Sequence, residues 1–132
     1  MSEDQLDLYL KQGMYGTFET KPEERSVFLG TIRERIIIAL TKGQVRQQKV
    51  YDEVKSALKS APKKNLLLNG TVDYSSLSKY IAIANKEGIP FTIVNGLDDK
   101  PTKIGLIVAA LDAIENEEIF VKDKTFEQSF RK

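Results

Sequence analysis

The sequence predicts an α/β fold, in which helices connect the strands of a sheet and cover it. Short continuous runs of Val, Ile and Leu are typical of strands with helices packed on them, and here they alternate with longer segments of helical periodicity. Helices placed between strands also supply the crossover connections that parallel strands need. The predicted strands are 36–40, 66–68, 91–94 and 104–111.

The first part of the chain, residues 1–30, is predicted to be a helical arm. Ser2 and Gln5 have the spacing of a capping box, and Thr20 marks a second helix start. No Ser/Gly-rich linker separates this arm from the rest, so we expect it to pack on the core of a single domain, residues 1–132.

The remaining helices are placed by their periodicity and their end signals. The first core helix is predicted at about 47–60, and the second follows Asp73, a favourable N-cap residue. Gly88 is expected to end the second helix in the left-handed conformation. A short edge strand is predicted at 119–121, followed by a last amphipathic turn capped by Thr125.

One core is expected to hold the apolar side chains of these elements, because each lies on a strand or on the inner stripe of a helix. The side chains predicted to be buried together are Leu40, Leu67, Ile81, Ile93 and Val108. Replacing Leu67 with alanine is predicted to cost about 2–5 kcal/mol.

The composition excludes several classes of chemistry. The 132 residues include no cysteine and no histidine, so Ser-His-Asp and Cys-His catalysis and cysteine-based metal sites are ruled out. We predict no cofactor and no metal site. The first residues carry no signal-like pattern, and no apolar run approaches the roughly 20 residues of a membrane-spanning helix. A cytoplasmic location without membrane contact is therefore expected.

The first candidate site lies where the predicted strands end, since each of the first three ends on a polar residue followed by glycine. These residues are Lys42, Gly43, Asn69, Gly70, Asn95 and Gly96. If the strands are parallel, these ends share the sheet edge at which open α/β folds bind ligands. The alternative is structural, because asparagine and glycine also let a chain leave a strand without any ligand.

The second candidate site is basic and would bind an anion or RNA. Its residues are Arg33, Arg35, Arg46 and Lys49. In an extended chain Arg33 and Arg35 point to the same side, where they could hold a carboxylate or phosphate. The segment 42–64 is basic and the segment 112–123 is acidic, so opposite patches could also meet between two copies in a homodimer.

One segment gives the chain a family resemblance. It reads Phe28-Leu29-Gly30-Thr31-Ile32-Arg33-Glu34-Arg35 and continues through Thr41-Lys42-Gly43-Gln44-Val45. Together with Asn69-Gly70, the Ile89-Pro90-Phe91 step and Ile104-Gly105-Leu106, it resembles the YueI-like family of uncharacterised proteins from Bacillus. The resemblance implies a mixed four-stranded sheet with helices packed on it, similar to the Bacillus chorismate-mutase-like fold. It implies no activity, because fold alone does not supply one.

The order of elements is also similar to that of ribosomal and kink-turn RNA-binding proteins. Those proteins carry Gly-x-Asn-Glu in the turn that Lys42 to Arg46 occupies here, and the Asn and Glu are missing. Base recognition of that kind is therefore not favoured, and a basic, glutamine-rich turn is what remains.

Taken together, these observations favour a non-enzymatic binding or interaction module whose partner is unknown. No complete catalytic motif is present, and no catalytic residue is assigned. Two alternatives stay open. One is an RNA-binding protein, and the other is a small-molecule enzyme whose anion site forms between subunits, with Arg33, Arg35 or Lys42 holding the substrate.

Overall fold

The structure is a computed structural model that describes residues 25–60, 63–96 and 102–129. The helix starts predicted at Ser2 and Thr20 lie outside these residues. A 3₁₀ turn, Arg33–Arg35, precedes the first strand. The strands are β1 (Ile36–Thr41), β2 (Lys64–Asn69), β3 (Phe91–Val94) and β4 (Ile104–Ala110). The helices are α1 (Lys42–Val45), α2 (Asp52–Ser60), α3 (Tyr74–Lys86) and α4 (Lys124–Gln128).

The strands form one mixed, four-stranded sheet in the order β1-β4-β2-β3. β2 and β3 are parallel, whereas β4 is antiparallel to both of its neighbours, β1 and β2. β1, β2 and β3 therefore run in the same direction. The predicted α/β fold with a mixed sheet is confirmed, while its similarity to the chorismate-mutase-like fold stays a prediction.

Helix boundaries differ from the prediction on both sides of the sheet. A separate short helix, α1, follows β1 directly, because Thr41 and Gln44 form a capping box in which the side-chain oxygen of each accepts from the backbone N–H of the other. The helix predicted at about 47–60 begins only at Asp52. Asp123, rather than Thr125, is the N-cap of α4, since its carboxylate accepts from the backbone N–H of Phe126.

The apolar side chains form two clusters, one on each face of the sheet, rather than the one core predicted. Leu40, Ile81 and Val108 are buried in the cluster under α2 and α3. Ile93 lies at the margin of that cluster because it belongs to the outermost strand. Leu67 points to the other face, and it is only partly buried there.

The two outer edges of the sheet differ. Residues 116–120 cover the outer edge of β1, where the N–H of Ala39 donates to the carbonyl of Ile119 (2.7 Å) and the side chain of Asn116 donates to the carbonyl of Ile37 (2.8 Å). The edge strand predicted at 119–121 is a single parallel bridge between Ala39 and Phe120. Within the described ranges, no strand pairs with the outer edge of β3.

Candidate functional site

The structure brings the three polar-glycine strand ends together at one edge of the sheet, which we call the C-terminal edge. The start of β4 links them. The N–H of Lys42 donates to the carbonyl of Lys103 (2.9 Å), and the side-chain amide of Asn69 donates to the carbonyl of Ile104 (2.8 Å). The sequence could predict the meeting of these strand ends from their common direction, but not the antiparallel strand that joins them.

Asn69 has a structural role at this edge. Its amide nitrogen is bound to Ile104, and its side-chain oxygen accepts from both the N–H and the hydroxyl of Thr71, at 2.8 and 2.6 Å. The residue is 1% exposed. Both the nitrogen and the oxygen of this side chain are therefore bonded within the chain, which agrees with the structural alternative raised from the sequence.

Gly70 is required by a close approach between neighbouring strand ends. A Cβ atom at this position would lie 2.5 Å from the side-chain oxygen of Asn95 and 2.7 Å from the carbonyl of Val94. That carbonyl accepts a hydrogen bond from the N–H of Gly70 (2.9 Å).

The other two glycines predicted at this edge have different surroundings. Gly43 lies in α1 against Ser129, and Gly96 is exposed with a positive φ of 75°.

Arg46 and Lys49 lie near this edge, and both interact with neighbouring side chains. The Nε of Arg46 is 3.9 Å from a carboxylate oxygen of Asp73, with both side chains about half exposed. Hydrogen bonds from Ser75 and Ser76 hold the pKa of that exposed carboxyl at about 2. The Nζ of Lys49 lies 4.7 Å from the ring centroid of Tyr51, within the range of a cation–π contact.

A polar cluster that the sequence did not predict lies behind this edge and consists of Gln44, Tyr51 and Asp123. The hydroxyl of Tyr51 donates to one oxygen of Asp123. The amide of Gln44 donates to the other oxygen (3.0 Å) and to the carbonyl of Val121 (2.7 Å). The cluster joins α1 and the start of α2 to α4. In the sequence, the Thr41-x-x-Gln44 capping pattern could have indicated the position of Gln44. No local pattern could have indicated that Tyr51 meets Asp123, which lies 72 positions further along the chain.

The cluster shifts two pKa values in opposite directions. Burial raises the pKa of Tyr51, and its hydrogen bond to Asp123 and that carboxylate's charge raise it further. Burial alone would raise the pKa of Asp123, but hydrogen bonds from Tyr51, Phe126 and Gln44 and the charge of Lys49 outweigh it and lower the pKa. Asp123 is thus held as a carboxylate and Tyr51 as a phenol.

This shift predicts a loss of stability in acid. Because the pKa of Asp123 is lower in the folded protein, its stabilising contribution is complete above the ordinary value of 3.8 and is lost as the pH falls through the folded-state pKa. Denaturant titrations at a series of pH values should show the free energy of unfolding falling in this range. Asp123→Asn, which keeps the shape and the acceptor oxygen, should show a smaller fall. Equal falls in both proteins would contradict the prediction.

Arg33 and Arg35 lie at the opposite end of the sheet, which we call the N-terminal edge. The expectation that they extend side by side is wrong, because the N–H of Arg35 donates to the carbonyl of Ile32 (3.0 Å) and closes a 3₁₀ turn. Arg33 is 3% exposed, and its guanidinium donates to the carbonyl of Glu117 (3.0 Å). The four residues of the predicted basic site are therefore not brought together, because Arg33 and Arg35 lie at the opposite end of the sheet from Arg46 and Lys49.

Comparison with known proteins identifies the family. Residues 3–120 match the family described as "Protein of unknown function (DUF1694)". The chain belongs to this family. It is 48% identical to the uncharacterised protein YueI of Bacillus subtilis (strain 168), over 100% of this chain and 99% of that protein. The resemblance to the YueI-like family is thereby confirmed, and the function of this family is unknown.

The fold agrees with that of a solved member of the family. The crystal structure of the YueI protein from Bacillus subtilis superimposes with a TM-score of 0.90 at 46% sequence identity, over 98% of this chain and 100% of that one. The described part of this chain contains no cluster of three or more acidic, histidine or cysteine residues that could hold a metal ion. None of its helices is long and apolar enough to cross a membrane.

Proposed function

We propose that this protein is a cytoplasmic, non-enzymatic interaction module, and that it binds through the open outer edge of β3, with a second copy of the chain as the partner. The observation that carries the proposal is the difference between the two sheet edges. Residues 116–120 cover the outer edge of β1, whereas β3 is outermost and no strand in the described ranges pairs with its outer edge. Proteins usually cover or charge an open edge unless it serves for pairing.

The backbone of β3 is arranged for strand addition. The carbonyls of Pro90 and Val94 accept from the N–H groups of Leu66 on β2 and of Gly70 directly after β2, at 3.0 and 2.9 Å. The backbone groups of the even-numbered residues therefore face β2. Alternation along a strand then directs the N–H and carbonyl groups of Phe91 and Ile93 away from β2. These groups are the ones that a further strand would bind.

The side chains of β3 favour an identical strand as the partner. Two copies of β3 that pair antiparallel about a twofold axis can place Phe91 opposite Ile93 of the second copy, and Thr92 opposite Thr92. Aromatic–β-branched and Thr–Thr pairs are both favourable across antiparallel strands. The strand carries no charge, so no like charges meet, and Phe91 is 38% exposed before pairing.

Two of the basic residues considered for RNA binding make contacts within the chain, which favours this proposal over RNA binding. Arg46 lies beside Asp73, and Lys49 lies over the ring of Tyr51, so both have partners within the chain. The cytoplasmic location is proposed from the composition, because the sequence contains no cysteine and disulfides are typical of proteins from oxidising compartments.

Light scattering should test the edge of β3. At roughly 10–100 micromolar, the range in which a small interface is populated, the wild-type protein should have close to twice the mass of one 14.9 kDa chain. Phe91→Lys should give a monomer, since it removes the exposed ring and places a charge on the edge.

The matched control for this experiment is Tyr74→Lys, which replaces another exposed aromatic side chain by lysine at the start of α3. This variant should remain a dimer. A wild-type mass of 14.9 kDa at these concentrations would contradict the proposal, and so would a Phe91→Lys variant that still dimerises.

A further inference from the structure

Two cationic side chains at the N-terminal edge have buried nitrogen atoms without a hydrogen-bond partner. Lys64, the first residue of β2, is 4% exposed, and its Nζ donates to no acceptor among the described residues. The Nε of Arg35, at the end of the 3₁₀ turn before β1, is buried in the same way. Buried lysines are nearly always paired, so an ammonium group in this position needs an explanation.

The described part of the chain supplies no hydrogen-bond partner for the Nζ of Lys64. Burial lowers the pKa of its ammonium group, and the charge of Glu87 at the end of α3 acts in the opposite direction. Glu87 is exposed, however, and it makes no hydrogen bond to Lys64. One exposed carboxylate offsets the charge of a desolvated cation only in part, and a bound anion would offset it more completely.

The sheet pairing places the segments that carry the two cations next to the same end of β4. Lys64 lies opposite Ala110 on β4, and Ile36, the residue after Arg35, lies opposite Ala109. Lys64, at the start of β2, and Arg35, in the turn before β1, therefore lie on either side of the end of β4. Two strands that are separated by a third strand are about 10 Å apart. Long side chains that extend from both sides can contact one small group across this distance.

We infer that Lys64 and Arg35 form a binding site for a small oxyanion, a phosphate or carboxylate group, at the N-terminal edge of the sheet. An ammonium and a guanidinium group offer only donors, and both match the acceptor oxygens of these anions. The neighbouring Arg33 contributes to the shape of the site, because its bond to the Glu117 carbonyl holds the loop after β4 against the start of β1. This site is independent of the proposed pairing through the outer edge of β3.

Calorimetric titration of the full chain with inorganic phosphate, and separately with acetate, tests the site. The wild type should bind at least one of the two in a saturable way with one anion per chain, and the stronger of the two identifies the group recognised. Lys64→Met, which keeps an unbranched side chain without charge, should weaken this binding by about tenfold or more, as expected when one member of a buried charge pair is removed.

The matched control is Lys63→Met, since Lys63 is the exposed lysine directly before Lys64. Its affinity should stay within about twofold of the wild type, because exposed charges contribute little. Arg35→Gln is the second variant if Lys64→Met does not fold, and it should also weaken binding. Absence of saturable binding by the wild type would overturn the inference, and so would equal binding by Lys63→Met and whichever of the two site variants folds.

Discussion

Leu66→Ala is expected to lower the free energy of unfolding by about 2–5 kcal/mol, the usual cost of a cavity at a fully buried leucine. Leu66 lies on β2 opposite Val108 on β4 and Phe91 on β3, and it belongs to the cluster under α2 and α3. Urea unfolding followed by circular dichroism measures this loss. A loss near zero would mean that this face of the sheet is not covered.

Leu67→Ala is the matched control, because it makes the same change one residue along the same strand. Leu67 points to the other face and is only partly buried, so its loss should be smaller, no more than about 2 kcal/mol. The larger cost predicted for Leu67 from the sequence therefore belongs to its neighbour Leu66. Equal losses at both positions would contradict this difference between the two faces.

Gly105→Ala is expected to cost about 1–3 kcal/mol or more, because no space exists for the added methyl group. A Cβ atom at Gly105 would lie 2.8 Å from the Cα of Lys42 and 3.0 Å from the carbonyl of Thr41. Both are backbone atoms at the junction of β1 and α1, so the junction itself must move. Equilibrium unfolding in urea measures the loss.

Gly43→Ala is the control for Gly105→Ala, since it adds the same methyl group at the same junction. The nearest atom to a Cβ at Gly43 is the hydroxyl oxygen of Ser129, at 3.2 Å, which belongs to a side chain that can rotate. Alanine also favours the helical conformation of α1 over glycine. The change should stay within about 1 kcal/mol. A larger loss at Gly43 than at Gly105 would contradict the role given to Gly105.

Local patterns were sufficient for the elements whose signals lie close together in the chain. Asp73 caps α3 by accepting from the N–H of Ser76, and Gly88 follows the helix with a φ of 71°, as predicted. The continuous apolar runs placed the strands for the same reason, because burial on both faces requires apolar side chains at every position. The common direction of β1, β2 and β3 also follows from the helices between them.

Only the tertiary structure decided which residues meet across the sheet. β4 lies between β1 and β2, an arrangement that depends on long-range packing, and it directs the side chain of Asn69 into the protein. The bond between Tyr51 and Asp123 joins residues 72 positions apart, and the burial of Lys64 depends on the elements packed around the start of β2. Propensity and periodicity act over a few residues, so they predict the helices and strands from the sequence. The contacts in the candidate sites arise from the packing of complete helices and strands, and only the tertiary structure shows them.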